Sequence, residues 1–316
     1  MERRADRTAH PRRRTPGVRE PRPSDDRASD RTGRAVDGRS GARDGHRPAA
    51  APPERDLGPG AGFAPLVARL PGYRHILVDL PGHGLSRPYS WRGRPVRTQA
   101  GDVVTSLLDA LYLDRAAFVG NSLGGLFTLW AAIDRPERVS AATIVGAPAT
   151  AIAGLRGTAA MATMTAPIRG RAVQCAMRLP SPASLARDAL TEALGRRAVD
   201  AMTDDMIDLH RLPLRLPGQA RSYRALLRRL LRGRVPRSEN VLTGAELARI
   251  ACPVLFLWGE QDVFLRAEDA RPSVAAIPRA RFESVRGGHA PWFDDAAGCA
   301  ALIDDFLRAP DITARP

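Results

Sequence analysis

The stretch that most constrains this chain is residues 115–130, RAAFVGNSLGGLFTLW. Ala116 to Val119 is a short apolar run, Gly120-Asn121-Ser122-Leu123-Gly124 comes next, and Gly125 to Ile133 reads as a helix. This is strand, tight turn and helix with a serine at the apex, the G-x-S-x-G pattern in which a strained turn lifts the hydroxyl out of the end of a sheet. A Cβ two residues before or after the serine is expected to clash with the strand or the helix, so Gly120 and Gly124 read as sterically required, and Gly125 as a further close approach. The same five residues also fit an ordinary glycine-rich turn between a strand and a helix. The rest of the chain decides between the two.

Alternation of short buried strands with helices carries through most of the sequence. Residues 58–70 read as a glycine-rich loop entering a helix with Phe63, Leu66, Val67 and Leu70 on one face. HILVDLPGHGLS (75–86) reads as a strand and a Gly/Pro loop, 98–112 as a helix, and 141–148 as a strand. Residues 150–249 break the rhythm with five helical stretches, expected over 152–164, 168–177, 184–194, 198–209 and 221–231. The last of these places Tyr223, Leu226, Leu227, Leu230 and Leu231 on one side and arginines on a solvated back. Alternation resumes with a strand in 251–262, a helix near 267–276, a strand at 281–287 and a helix near 296–308. The expected fold class is α/β, a mostly parallel sheet with helices on both faces. The expected segments are 1–57, disordered and Arg/Pro-rich; 58–149 and 250–316, the two parts of one core; and 150–249, a helical lid over the sheet's C-terminal edge, where ligand sites of such sheets lie.

Composition narrows the function classes. The net charge is +14 and every one of the 48 basic residues is arginine. Residues 156–249 hold 17 arginines against 8 acids, and residues 1–57 hold 15 against 10. A basic arm suggests nucleic acid, but 1–57 mixes charges and lacks aromatics for stacking on bases, and an arginine-only basic set also fits a compositional bias of the source. The basic amphipathic stretch 221–231 admits membrane contact; a lid helix facing the pocket is the reading preferred. Three cysteines, Cys175, Cys252 and Cys299, stand far apart with no C-x-x-C, so no disulfide framework, metal site or cofactor is expected. No signal-peptide core and no apolar run of about 18 residues occur, so the cytoplasm is the expected compartment. The partner expected is a small-molecule substrate; the oligomeric state is left open.

A serine nucleophile needs a base, and the base an orienting acid. Of six histidines, His289 comes after the last strand in a Gly-Gly-His loop, where a sheet can aim an imidazole back at Ser122. Asp262 comes after the strand PVLFLWG. The order Ser122, Asp262, His289, each after a different strand, matches the chain order of that turn's fold class. Asn121, Trp292 and Tyr223 are candidates to line the substrate pocket.

DLPGHGLS, GNSLGG, WGEQD and GGHAPWFDD together resemble the α/β-hydrolase family with a helical lid, over about Gly58 to Leu307. The resemblance implies that Ser122 is the nucleophile, His289 the general base and then acid, and Asp262 the orienting acid. It implies that the Leu123 N–H forms half of the oxyanion hole, with the second donor near Gly58. A serine rather than an aspartate at the turn favours cleavage of an ester, amide, lactone or activated C–C bond. The leading expectation is an ester-like substrate and an acyl-enzyme, with C–C hydrolysis of a diketone-type compound as the alternative. The family's first strands cannot be found: AAAPPERDL precedes Gly58, and Pro52-Pro53 forbids a central strand there. Residues 1–57 are therefore expected not to be the natural start of the domain, as after a shifted frame or misplaced start codon. The chain as written would then be impaired in catalysis, with strand edges left open.

Overall fold

The computed structural model describes residues 59–309; expectations placed on 1–57 and on Gly58 lie outside them. In chain order the main elements are α1 (Val96–Ala110), β1 (Ala116–Asn121), α2 (Leu123–Asp134), β2 (Val139–Val145), α3 (Ala159–Thr165), α4 (Arg169–Ala176), α5 (Ala183–Leu194), α6 (Arg196–Asp200), α7 (Asp204–Arg211), α8 (Gln219–Leu230), β3 (Val254–Gly259), α9 (Ala267–Val274), β4 (Ala280–Val285) and α10 (Ala296–Arg308).

The four strands form one parallel sheet in the order β1-β2-β3-β4. All of β3, and all of β2 except Ser140, is buried, which explains why these strands read as mostly apolar runs rather than alternating ones. Their side chains still alternate between two faces. Ile144, Phe256 and Trp258 join the cluster that holds Val104 and Leu108 of α1 and Leu126, Leu129 and Trp130 of α2. Val145, Leu255 and Leu257 join Leu66, Trp292 and Ile303, the last from α10. Helices thus cover both faces, and the strand ends that carry the candidate residues project from a fully packed centre.

Three expectations need correction. The run 75–80 forms no strand, and Ile76, Leu77 and Val78 are 37% to 41% exposed. An apolar run becomes a strand only if another backbone completes its ladder; among the described residues β1 pairs with β2 alone and stands at the sheet's edge, with Val119 38% exposed. The helix expected over 152–164 begins only at Ala159, where Thr158 Oγ1 caps it by accepting the Met161 N–H; Gly154, at φ +90°, lies in the turn before it. The helix expected over 198–209 is two, α6 and α7, the second capped by Thr203.

α8 departs furthest from expectation. Its leucines are buried as expected, but so are Gln219, Ser222 and Arg224. Gln219 Nε2 donates to the carbonyls of Gly84 and Ser86, and Ser222 Oγ accepts from Tyr89 N–H and donates to Tyr89 O. Arg224 turns inward and donates to the carbonyls of Met164, Ala166 and Pro167, which end α3 and start the turn into α4. Part of the back of the helix is thus a joint, while Arg221 and Arg228 are exposed as expected. Arg224→Met keeps the stem and takes the donor from the buried Met164 carbonyl, a loss of about 1–3 kcal/mol; Ala166 O keeps the Gly170 N–H and Pro167 is exposed to water. An expected cost in the lower part of that range, about 1–2 kcal/mol, should lower the melting temperature by roughly 5 °C in thermal circular dichroism.

Candidate active site

β1 ends at Asn121 and α2 starts at Leu123, so Ser122 alone makes the reversal, at φ 50°, ψ −112°. That backbone is strained for a residue with a side chain, at a cost of about 1–3 kcal/mol. The turn closes because Gly120 has no Cβ: one built there would stand 2.5 Å from Gly124 C and 2.6 Å from Gly125 N. Gly125 is the second close approach, with an added Cβ 3.2 Å from Gly120 O, Ile144 Cγ2 and Pro148 Cβ. Gly124 differs from expectation, since a Cβ there meets nothing within 4 Å. It sits in the first turn of α2, whose phase turns Gly125 toward the strand and Gly124 away from it. Leu123, as the first helical residue, has no acceptor for its N–H within the helix, and the dipole adds partial positive charge there.

The loops after β3 and β4 interlock. A Cβ on Gly259 would collide with Gly288 O, and the Gln261 N–H donates to Gly287 O at 2.9 Å. This puts Asp262 beside His289. Both are buried, and Asp262 Oδ2 accepts from His289 Nδ1 at 2.9 Å and from the Ala147 N–H at 2.9 Å, while Oδ1 accepts from the Phe264 N–H at 3.0 Å. A carboxylate only accepts, so Nδ1 is the nitrogen that carries the proton toward Asp262, and in the neutral ring Nε2 carries the lone pair. His289 Nε2 is buried and, among the described residues, has no hydrogen-bond partner. The Phe264 ring lies against the imidazole, with centroids 4.3 Å apart.

Asn121, beside the serine, donates from Nδ2 to Val145 O at 2.6 Å and to His289 O at 2.9 Å. The serine turn, the end of β2 and the histidine loop are thereby joined. Trp292 is buried, donates to Gly62 O at 2.8 Å and stacks on Phe63 at 4.7 Å. Tyr223 on α8 meets His83 of the PGHG turn edge to face at 5.8 Å. Burial raises the Tyr223 phenol pKa and lowers that of His83, so both are neutral near pH 7. His75 and His210 bond to the backbone carbonyls of Leu70 and Met206. Among the described residues no cluster of three or more His, Cys, Asp or Glu could hold a metal, and no helix is long and apolar enough to cross a membrane. A groove of about 820 Å³ lined by Ile152, Leu155, Val235, Leu242, Pro272 and Ala276 includes none of the candidate residues. Phe264 and Ala147 were not legible as site residues, because each contributes a backbone N–H, which any residue type but proline has.

Comparison with known proteins bears on this geometry. The family model described as "Alpha/beta hydrolase family" matches residues 57–302. A 2-hydroxy-6-oxononadienedioate/2-hydroxy-6-oxononatrienedioate hydrolase of Cupriavidus pinatubonensis is 30% identical over 268 residues, covering 79% of this chain and 83% of that protein. A pimeloyl-[acyl-carrier protein] methyl ester esterase of Xanthomonas campestris is 30% identical over 263 residues, covering 79% and 91%. Among solved structures, a meta-cleavage product hydrolase from Pseudomonas fluorescens superposes with a TM-score of 0.62 at 19% identity, over 79% of this chain and 87% of that one. Naproxen esterase from Bacillus subtilis gives 0.57 at 20% identity, over 80% of each. At that level of identity the likeness to these two structures is one of fold. The chain belongs to the alpha/beta hydrolase family.

Proposed function

We propose that the protein is a serine hydrolase that cleaves a carboxylic ester or lactone of a small molecule through an acyl-enzyme. The observation that carries this reading is the buried Asp262–His289 pair, whose Nε2 has no hydrogen-bond partner among the described residues. A buried polar nitrogen left unpaired is costly, and a catalytic role is one reason for a fold to retain one; this one belongs to an imidazole whose other nitrogen is held by a buried carboxylate. Ser122 is the hydroxyl offered: it stands at the apex of the turn, next to the residue that holds the His289 carbonyl.

In this reading His289 Nε2 takes the Ser122 proton as Oγ attacks the substrate carbonyl. The Leu123 N–H donates to the oxyanion, and with water excluded such a bond is worth more than in solution. Gly58, outside the described residues, remains the candidate for the second donor. The imidazolium stabilised by Asp262 then protonates the leaving alcohol. Water, activated by the same nitrogen, releases the acid and restores Ser122. Helices α3–α8 act as the lid, with the neutral Tyr223–His83 pair on its inner side.

A second reading, hydrolysis of a C–C bond next to a carbonyl, is favoured by the 2-hydroxy-6-oxononadienedioate/2-hydroxy-6-oxononatrienedioate hydrolase among the relatives. It uses the same residues, with carbon rather than oxygen as the leaving group. p-Nitrophenyl esters of rising acyl length, run beside a 2-hydroxy-6-oxo dienoate, separate the two. Ester turnover in excess over dienoate turnover, abolished in Ser122→Ala, is the expected result; dienoate turnover alone selects the second reading.

A further inference from the structure

The turn after β2 supplies none of Ser122, Asp262 and His289, yet it supports the arrangement at three consecutive residues. Val145 O accepts the Asn121 amide at 2.6 Å. Gly146, at φ +71°, lies so close that a Cβ would stand 2.2 Å from His289 O and 3.1 Å from Asn121 Nδ2. The Ala147 N–H holds Asp262 Oδ2 at 2.9 Å. Asn121 closes the junction with its second bond, to His289 O at 2.9 Å. Both of its neighbours are carbonyl oxygens, so the NH₂ end must face them and the amide orientation is fixed.

We infer that Asn121 is a positioning residue, which clamps the backbone of His289 to the end of β2 and so sets where Nε2 stands relative to Ser122. The inference rests on the reading of His289 as the base. Two glycines, Gly287 at φ +121° and Gly288, precede His289, so the residues before it carry no side chain that could fix its position. Asp262 holds the ring through Nδ1, and Asn121 holds the carbonyl of the same residue. Two anchors on one residue leave Nε2 a single direction. The second anchor comes from the residue adjoining the nucleophile, so one peptide unit connects the position of the hydroxyl to that of its base. The side chain reaches neither hydroxyl nor substrate in this role; it acts through His289.

Asn121→Asp is nearly isosteric and turns the donor pair into a carboxylate facing two carbonyls; Asn121→Ala removes the group. Three readouts apply to both: the rate of inactivation by a fluorophosphonate against pH, the far-downfield proton resonance of His289 Nδ1–H, and the thermal unfolding profile. The expected result is folded protein with labelling slowed about 10²-fold, the scale set by a misplacement of about 1 Å. The acid limb of the pH–rate profile should move, the resonance should shift or be lost to exchange, and KM for an ester should change little. A folded variant that keeps the wild-type labelling rate and resonance overturns the inference. So does failure of both variants to fold, which would assign the amide to stability alone. If the wild type takes no label, it is the serine hydrolase reading that fails. The resonance in Asn121→Ala then still decides: a shift supports the clamp, and no change overturns it.

Discussion

Asp262→Asn should lower kcat by about 10⁴-fold, the scale measured for the equivalent change in a serine protease triad, with KM within a few-fold of wild type. The size comes from the donor set. Oδ2 accepts from both His289 Nδ1 and the Ala147 N–H, and Oδ1 accepts from the Phe264 N–H. An asparagine has one acceptor oxygen. If that oxygen faces His289 and Ala147, the new NH₂ meets the Phe264 N–H head on. If the amide flips, the NH₂ faces the Ala147 N–H and His289 Nδ1, which must give up its proton. In that arrangement the proton moves to Nε2, and the base can no longer take one from Ser122. Steady-state kinetics on the ester found most active, with Ser122→Ala as the floor, check this. A loss below about 10-fold would show that His289 does not depend on the carboxylate.

The two glycines that flank the serine by two residues should respond in opposite directions. Gly120→Ala puts a methyl 2.5–2.6 Å from backbone atoms of Gly124 and Gly125. Backbone cannot move aside as a flexible side chain can, so the turn must open and α2 must shift on the sheet. The expected cost is about 3 kcal/mol or more, a large part of the roughly 5–15 kcal/mol that holds a typical domain together. Gly124→Ala meets nothing within 4 Å at a helical position. It should be neutral or stabilise by up to about 1 kcal/mol, because alanine has less backbone freedom to lose. Urea unfolding of both variants beside the wild type is the check. Equal destabilisation by both would mean that the helix does not leave Ser122 in the phase described.

The contrast between those glycines separates the part of the fold that is written locally from the part that is not. G-x-S-x-G is symmetric about the serine, and nothing in the letters distinguishes the first glycine from the last. Their difference comes from the three-dimensional phase at which α2 leaves the strand. The serine turn, the strands over 116–121, 139–145, 254–259 and 280–285 and the helix of 296–308 were legible because each depends on local patterning: an apolar run of strand length, a glycine break, a 3.6-residue repeat. Asp262 and His289 were legible as candidates because each lies in the loop after a strand, and parallel strands deliver those loops to one edge of the sheet.

The readings that failed depend on distant partners. HILVDL has the composition of a buried strand, but strand formation needs a second backbone, and among the described residues none lies along the free edge of β1. Among the described residues no strand pairs with that edge, and an open edge can template another strand. Arg224 reads as one more arginine on a solvated helix back, yet its acceptors are the carbonyls of Met164, Ala166 and Pro167, 57 to 60 residues away in the chain and with no sequence signature. Asn121 reads as a pocket residue because it adjoins the serine; the bonds of its amide to Val145 and His289, across the sheet, could not be read from sequence.

The central claim is that the β1–α2 turn presents Ser122 to a base held by Asp262. Its most direct test is intact-mass and peptide analysis after a short exposure to a fluorophosphonate at neutral pH. The account predicts one adduct per chain, on Ser122, absent from Ser122→Ala and formed far more slowly in His289→Ala. A folded wild-type protein that takes no label, or that takes it at another serine, would contradict it.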